Sequence, residues 1–193
     1  MRVAFGLKAH SGWAALVVLA KESRTYVVID RRRIELVDER WAKQPYHAAE
    51  GCKPDIARDL VKRGVDSANR IALRELRSAV TLEEKRGNKV VGCGVLVSDP
   101  MPDWTTDQIL AVHFRMHKAE GVLFRDALAV AAEKCNVAVV RVEEKVLSEV
   151  AEKNLKMTSA DLTRTITVLG KSVGAPWAKD QKEAAVAAMI ALR

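Results

Sequence analysis

Asp180 and Glu183 stand three residues apart at the head of an alanine-rich segment, Lys179-Asp180-Gln181-Lys182-Glu183-Ala184-Ala185-Val186-Ala187. On a helix this spacing puts both carboxylates on one face with Ala184 and Ala187, and such a face would turn toward a sheet. Paired carboxylates supply the oxygen ligands that magnesium demands; at a helix start they equally complement the positive end of the macrodipole. His113 and His117 are four apart, a spacing that can bind a metal, but Phe114 occupies the place where a zincin carries its glutamate. Their ordinary reading is packing or solvent exposure. His10-Ser11 has no acid-base partner nearby in sequence, so no hydrolase triad is supported. Gly92-x-Gly94 precedes no helix and is not a phosphate loop. Ser98-Asp99-Pro100 reads first as a turn. Arg31, Arg32 and Arg33 are the tightest cationic cluster, suited to phosphate contact or to a solubilising edge strand.

The elements that would position these residues follow from the apolar periodicity. Residues 2–7, 12–19 and 25–37 are β-rich and separated by short polar segments, Lys8 to Ser11 and Lys21 to Arg24, which predicts an antiparallel meander. Ile56, Leu60, Val65, Ala68, Ala72, Leu76, Ala79 and Val80 recur at helical spacing, predicting a helix over 55–85 that ends at Gly87-Asn88. The run Lys89 to Val97 is nearly continuously apolar, as in a strand buried on both faces. Thr105 and Gln108 have capping-box spacing and open a helix expected to continue to Lys134, closed by Asn136. Residues 137–142 form a fifth strand, parallel to the fourth because a helix crosses between them. Two tail helices are expected, over 159–170 and from Pro176 onward. The fold class is α/β, a five-stranded mixed sheet with helices on both faces, and 193 residues at about 150 per domain predict one domain over 1–193.

No apolar run reaches the roughly 18–20 residues that span a bilayer, and Lys8 and His10 interrupt the N-terminal run before any cleavage site, so no membrane association and no export are expected. Cys52, Cys93 and Cys135 form no CxxC pair, which fits reduced thiols and a cytoplasmic location. A net charge of +7 favours a polyanionic partner without naming it.

The element order is the ribonuclease H-like one, and particular segments resemble RuvC-type Holliday-junction resolvases. Gly6-Leu7-Lys8-Ala9-His10-Ser11 is similar to the family's G-I-D-P-G-S strand end, and Gly12-Trp13-Ala14 to the turn that follows. His117 to Val122, continuing through Ala131-Ala132-Glu133-Lys134 to a strand and Lys145, resembles the family's alanine-rich helix and its characteristic lysine, with Glu120 where arginine is usual. Ala160-Asp161-Leu162, Leu169-Gly170 and the 179–187 segment resemble the last two helices.

The resemblance implies a homodimer that acts on DNA with two magnesium ions held by four acids: one on the first strand, one on the fourth and two on the last helix. Asp180 and Glu183 match the last pair. Lys8 stands at the first-strand position, and Gly92, Cys93 and Gly94 at the fourth-strand one, so two ligands are missing. The expectation is a diverged, non-catalytic RuvC-like protein with a nucleic-acid-binding role. No cofactor is then needed, and Lys8 takes the metal's place by pairing with Asp180 or Glu183; the competing view is a Lys8 stem that snorkels from a strand end. Arg31, Arg32, Arg33 and Lys145 are the candidate nucleic-acid contacts. The alternatives are an active magnesium-dependent endonuclease using Asp180, Glu183 and a replacement acid, and an actin-like nucleotide binder, which lacks its acidic, glycine-rich first hairpin here.

Overall fold

The computed structural model describes residues 1–23 and 25–193; Arg24, in the expected turn between the second and third strands, lies outside the described residues. Strands β1 (Arg2–His10), β2 (Trp13–Glu22) and β3 (Thr25–Glu35) form the meander, and β4 (Lys89–Val97) and β5 (Val139–Glu143) complete one sheet in the order β3-β2-β1-β4-β5. The β1–β2 and β2–β3 pairs are antiparallel, β1–β4 and β4–β5 parallel. Strands β1, β4 and β5 therefore all end at one edge of the sheet.

Strand alternation divides the core into two layers. Val3, Phe5 and Leu7 of β1, with Leu16 and Val18 of β2, pack under α2 (Pro54–Lys85) and α4 (His113–Lys134). Each large side chain so buried contributes about 1.5–3 kcal/mol. Ala4, Val17, Leu19 and Leu96 face the other way, under α5 (Leu147–Leu155), α6 (Ser159–Val173) and α7 (Lys179–Ala191). The short α1 (Pro45–Ala48) leans on α2 and α4 through Tyr46. Among the described residues, no helix is long and apolar enough to cross a membrane.

Helix α7 lies directly on the sheet because the strands beneath it are bare. A Cβ on Gly6 would stand 1.8 Å from the Ala184 carbonyl oxygen, one on Gly92 2.4 Å from that of Ala191, and one on Gly94 2.2 Å from that of Ala187. The glycine pattern of β4 is thus a groove for a helix backbone. Ala184, Ala185, Ala187 and Ala188 are fully buried, giving α7 the small faces that the groove requires.

Three expectations are corrected. The helix opened by the Thr105–Gln108 capping box ends at Leu110 as α3 (Thr106–Leu110), and α4 restarts at His113 after Val112 turns extended (φ −140°, ψ 114°). No glycine or proline marks that break. The tail holds three helices, since α5 precedes the expected two. Pro176 lies ahead of α7, not in its first turn: Arg31 donates to the carbonyls of Val173, Gly174, Ala175 and Pro176, and Trp177 packs on Gly170 with its Nε1 bonded to the Ile166 carbonyl at 3.0 Å. These contacts fix the irregular 174–177 connection. Asn136 adopts the left-handed conformation expected of it, with φ 57°.

Candidate functional site

Lys8 shares a strand face with Ala4 and Gly6, so its side chain runs beneath the start of α7. The residue is only 4% exposed, so the ammonium cannot reach bulk water and must find anions. It finds three. Nζ donates to Glu183 and to Glu144 Oε1 at 2.9 Å, and lies 3.7 Å from Asp180 Oδ1. Asp180 and Glu183 come from the first two turns of α7, which the glycine groove fixes over the strand ends. Glu144 comes from a single 3₁₀ turn, Glu144–Val146, that leaves β5 at the same edge.

Further cations close the cluster. Arg125 of α4 reaches Glu144 Oε2 at 3.3 Å, and Lys179 lies 3.7 Å from Glu183 Oε1. Three carboxylates are matched by three cations, so the cluster is neutral. Burial works against the Lys8 charge, but the hydrogen bonds and charges of Glu183 and Glu144 outweigh it and raise its pKa above the usual lysine value. Burial likewise favours neutral Glu144, yet the Lys8 bond and the charges of Lys8, Arg125 and Lys179 prevail and hold its pKa below the ordinary 4.5.

These directions fix a pH dependence. A carboxylate with a depressed folded pKa stabilises the fold above its unfolded pKa, and that contribution is lost as pH falls through the folded value. A raised lysine contributes below its unfolded pKa and is lost as pH climbs through the folded value. Glu144→Gln should therefore be less stable than wild type at neutral pH but lose less stability on acidification below pH 4.5. Urea unfolding at pH 7 and pH 3 checks this; parallel pH profiles for the two proteins would refute it.

Beside the cluster, the ends of β4 and β5 open into a cleft of about 390 Å³ lined by Ser98, Asp99, Arg125, Lys145, Lys179 and Glu183, among others. Lys145 is paired there with Asp99 and lies 3.5 Å from Glu143. On the other side, the His10 ring stacks on Trp13 with centroids 4.4 Å apart, and the Arg33 guanidinium lies 4.2 Å from the Trp13 ring. His10 Nε2 is 3.0 Å from Asp180 Oδ1, out of line for a hydrogen bond. A ribbon of cation, indole and imidazole thus leads from β3 to the acids.

The structure brings Lys8, Asp180 and Glu183 together and adds Glu144. Sequence offers only a weak signal for Glu144, an acid at the end of a strand parallel to β1. Arg31 is engaged by the 173–176 connection, Arg32 pairs with Asp30, and Arg33 pairs with Glu35. Gly92, Cys93 and Gly94 on β4 offer no carboxylate, and Cys93 is fully buried, its thiol pushed up to about 12 by burial. An ammonium among the acids and no acid on β4 do not fit a two-magnesium centre.

A mixed sheet in this order, layered by helices on both faces, is a ribonuclease H-like fold. The chain superposes on RuvC from Thermus thermophilus with a TM-score of 0.51 and 12% identity, covering 97% of this chain and 92% of that one. It superposes on the T. thermophilus RuvC bound to a Holliday junction substrate with a TM-score of 0.50 and 12% identity, covering 98% and 92%. No family model matches the sequence, and no curated protein matches it. The likeness is one of fold.

Proposed function

We propose that this chain is a diverged RuvC-like protein that binds nucleic acid and does not cut it. The observation that carries the proposal is the Lys8 ammonium held by Glu183 and Glu144 and facing Asp180, in the place where the resemblance puts a metal-binding acid. An Nζ so placed supplies fixed positive charge and repels a divalent ion from the same oxygens.

A binding role is supported by the net charge of +7 and by the ribbon of Arg33, Trp13 and His10, which offers a cation and an aromatic face beside the cluster. T. thermophilus RuvC, whose fold this is, has been seen with a Holliday junction substrate. A branched DNA is therefore the first ligand to try. Arg32, Arg33 and Lys145 are the proposed phosphate contacts, with Arg31 aligning the 173–176 connection beside them. The same reading takes residues 1–193 as one cytoplasmic domain that pairs as a homodimer.

The test uses a four-way DNA junction with the full chain in magnesium and then manganese. Expected are binding that weakens steeply with salt and no cleavage products in either metal. If six phosphates are contacted, affinity falls about 10³-fold between 50 and 200 mM salt. Metal-dependent cutting by the wild-type chain that disappears in Asp180→Asn would overturn the non-catalytic reading in favour of an endonuclease built on Asp180, Glu183 and Glu144. Salt-independent or undetectable binding would remove the nucleic-acid role.

A further inference from the structure

A second group of metal-ligating side chains stands apart from the acid cluster. His47 at α1 and His113 and His117 in the first turns of α4 each present a ring nitrogen, and these three atoms lie within 4.8 Å of one another. We propose that His47, His113 and His117 form a zinc site that clips α1 onto α4.

The His113 and His117 Nε2 atoms face each other at 3.0 Å. Two nitrogens bound to one tetrahedral zinc at about 2.0–2.1 Å stand about 3.3 Å apart, so the pair needs only a small shift to share an ion. The three rings meet edge-on or tilted, with centroids 4.6 to 5.1 Å apart, so they surround a point and do not stack.

Glu120 sets the third ligand. This carboxylate is 5% exposed, and it accepts the His47 backbone N–H at 3.1 Å and faces the His47 Nδ1 at 2.7 Å. An Nδ1–H given to a buried carboxylate leaves Nε2 as the ring's free lone pair and fixes the ring's direction, the arrangement that supports histidine ligands of zinc. Glu50 lies 4.0 Å from His113 Nδ1, a nearby charge beyond hydrogen-bond distance. Imidazole donors suit zinc and not magnesium, which selects oxygen, so this site and the acid cluster differ in the ion they would take. Three protein ligands leave the fourth position to water.

The site is exposed at His113 and His117, so substitutions there test the ion without emptying the core. The untagged full chain, stripped with EDTA, is titrated with zinc and separately with cobalt(II). Expected are one zinc per chain and a tetrahedral cobalt absorption spectrum. At 100-fold excess over Kd, Tm should rise by about 5–10 °C. All three signals should be lost in the double variant His113→Ala, His117→Ala and kept in Asp180→Asn, Glu183→Gln. Glu120→Gln should weaken zinc 10–100-fold at unchanged stoichiometry. The proposal is overturned by less than one equivalent of zinc, by an octahedral cobalt spectrum, or by binding that survives the histidine variant and vanishes in the acid variant.

Discussion

Lys8→Met is expected to lower stability by about 2–4 kcal/mol at pH 7, read as a drop in the urea midpoint. The substitution keeps the stem and removes the charge, so Glu183, Glu144 and Asp180 are left facing one another under α7 with only the cations Arg125 and Lys179 on the outer side. Repulsion among partly buried carboxylates then replaces three attractions. Two further results follow from the same physics. Adding Glu183→Gln to Lys8→Met should return part of the loss, since one uncompensated charge goes with it. Millimolar manganese should stabilise Lys8→Met and leave wild type unchanged, because only the variant presents free converging oxygens to a cation. A Lys8→Met protein as stable as wild type, indifferent to manganese, would show that the ammonium does not organise the site. Lys8→Asp carries the argument to function: it restores an acid to the first strand, and any junction cleavage it gains in manganese would tie the present site to a cutting ancestor.

Gly6→Val is expected to destabilise the chain by about 3 kcal/mol or more, and Gly94→Val by a comparable amount. The atoms a side chain would strike are backbone: the Ala184 carbonyl at 1.8 Å and the Ala188 nitrogen at 2.8 Å from a Cβ on Gly6, and the Ala187 carbonyl at 2.2 Å from one on Gly94. A helix backbone cannot step aside as a rotamer can, so α7 must lift from the sheet and take Asp180 and Glu183 with it. Gly121 supplies the control. A Cβ there meets nothing within 4 Å, so Gly121→Ala in α4 should raise stability by about 0.5–1 kcal/mol. Thermal unfolding of the three variants separates the cases; equal effects at Gly6 and Gly121 would mean that the close approach of α7 is not what the glycines serve.

The five strands and their mixed pairing were legible because the signals are local: three apolar runs joined by short polar segments, a nearly apolar fourth strand, and a helix between parallel partners; the placing of β4 beside β1 came only with the structure. Lys8, Asp180 and Glu183 could be singled out because the resemblance orders them along the chain. Glu144 could not, since it joins them only because β5 ends at the same edge of the sheet as β1, across the intervening β4, a three-dimensional fact. The helical spacing of Leu147, Val150, Ala151 and Leu155 marks α5, which the expectation of two tail helices left out. The break at Val112 has no local signature. His47 shows the same limit: His113 and His117 form a visible pair, while the third ring arrives from 66 residues upstream. Gly92 and Gly94 could be read in the sequence only as not forming a phosphate loop, and their meaning required the helix that crosses them.

Helix α7 follows all the other described helices along the chain and is one of the most enclosed, with every residue from Ala184 to Ala191 buried against the sheet or its neighbours. A ribosome must therefore release nearly the whole described chain before the apolar sheet face beneath α7 can be sealed. Until then Val17, Leu19 and Leu96 remain open to solvent, and nascent chains interrupted ahead of residue 179 become natural clients for chaperones.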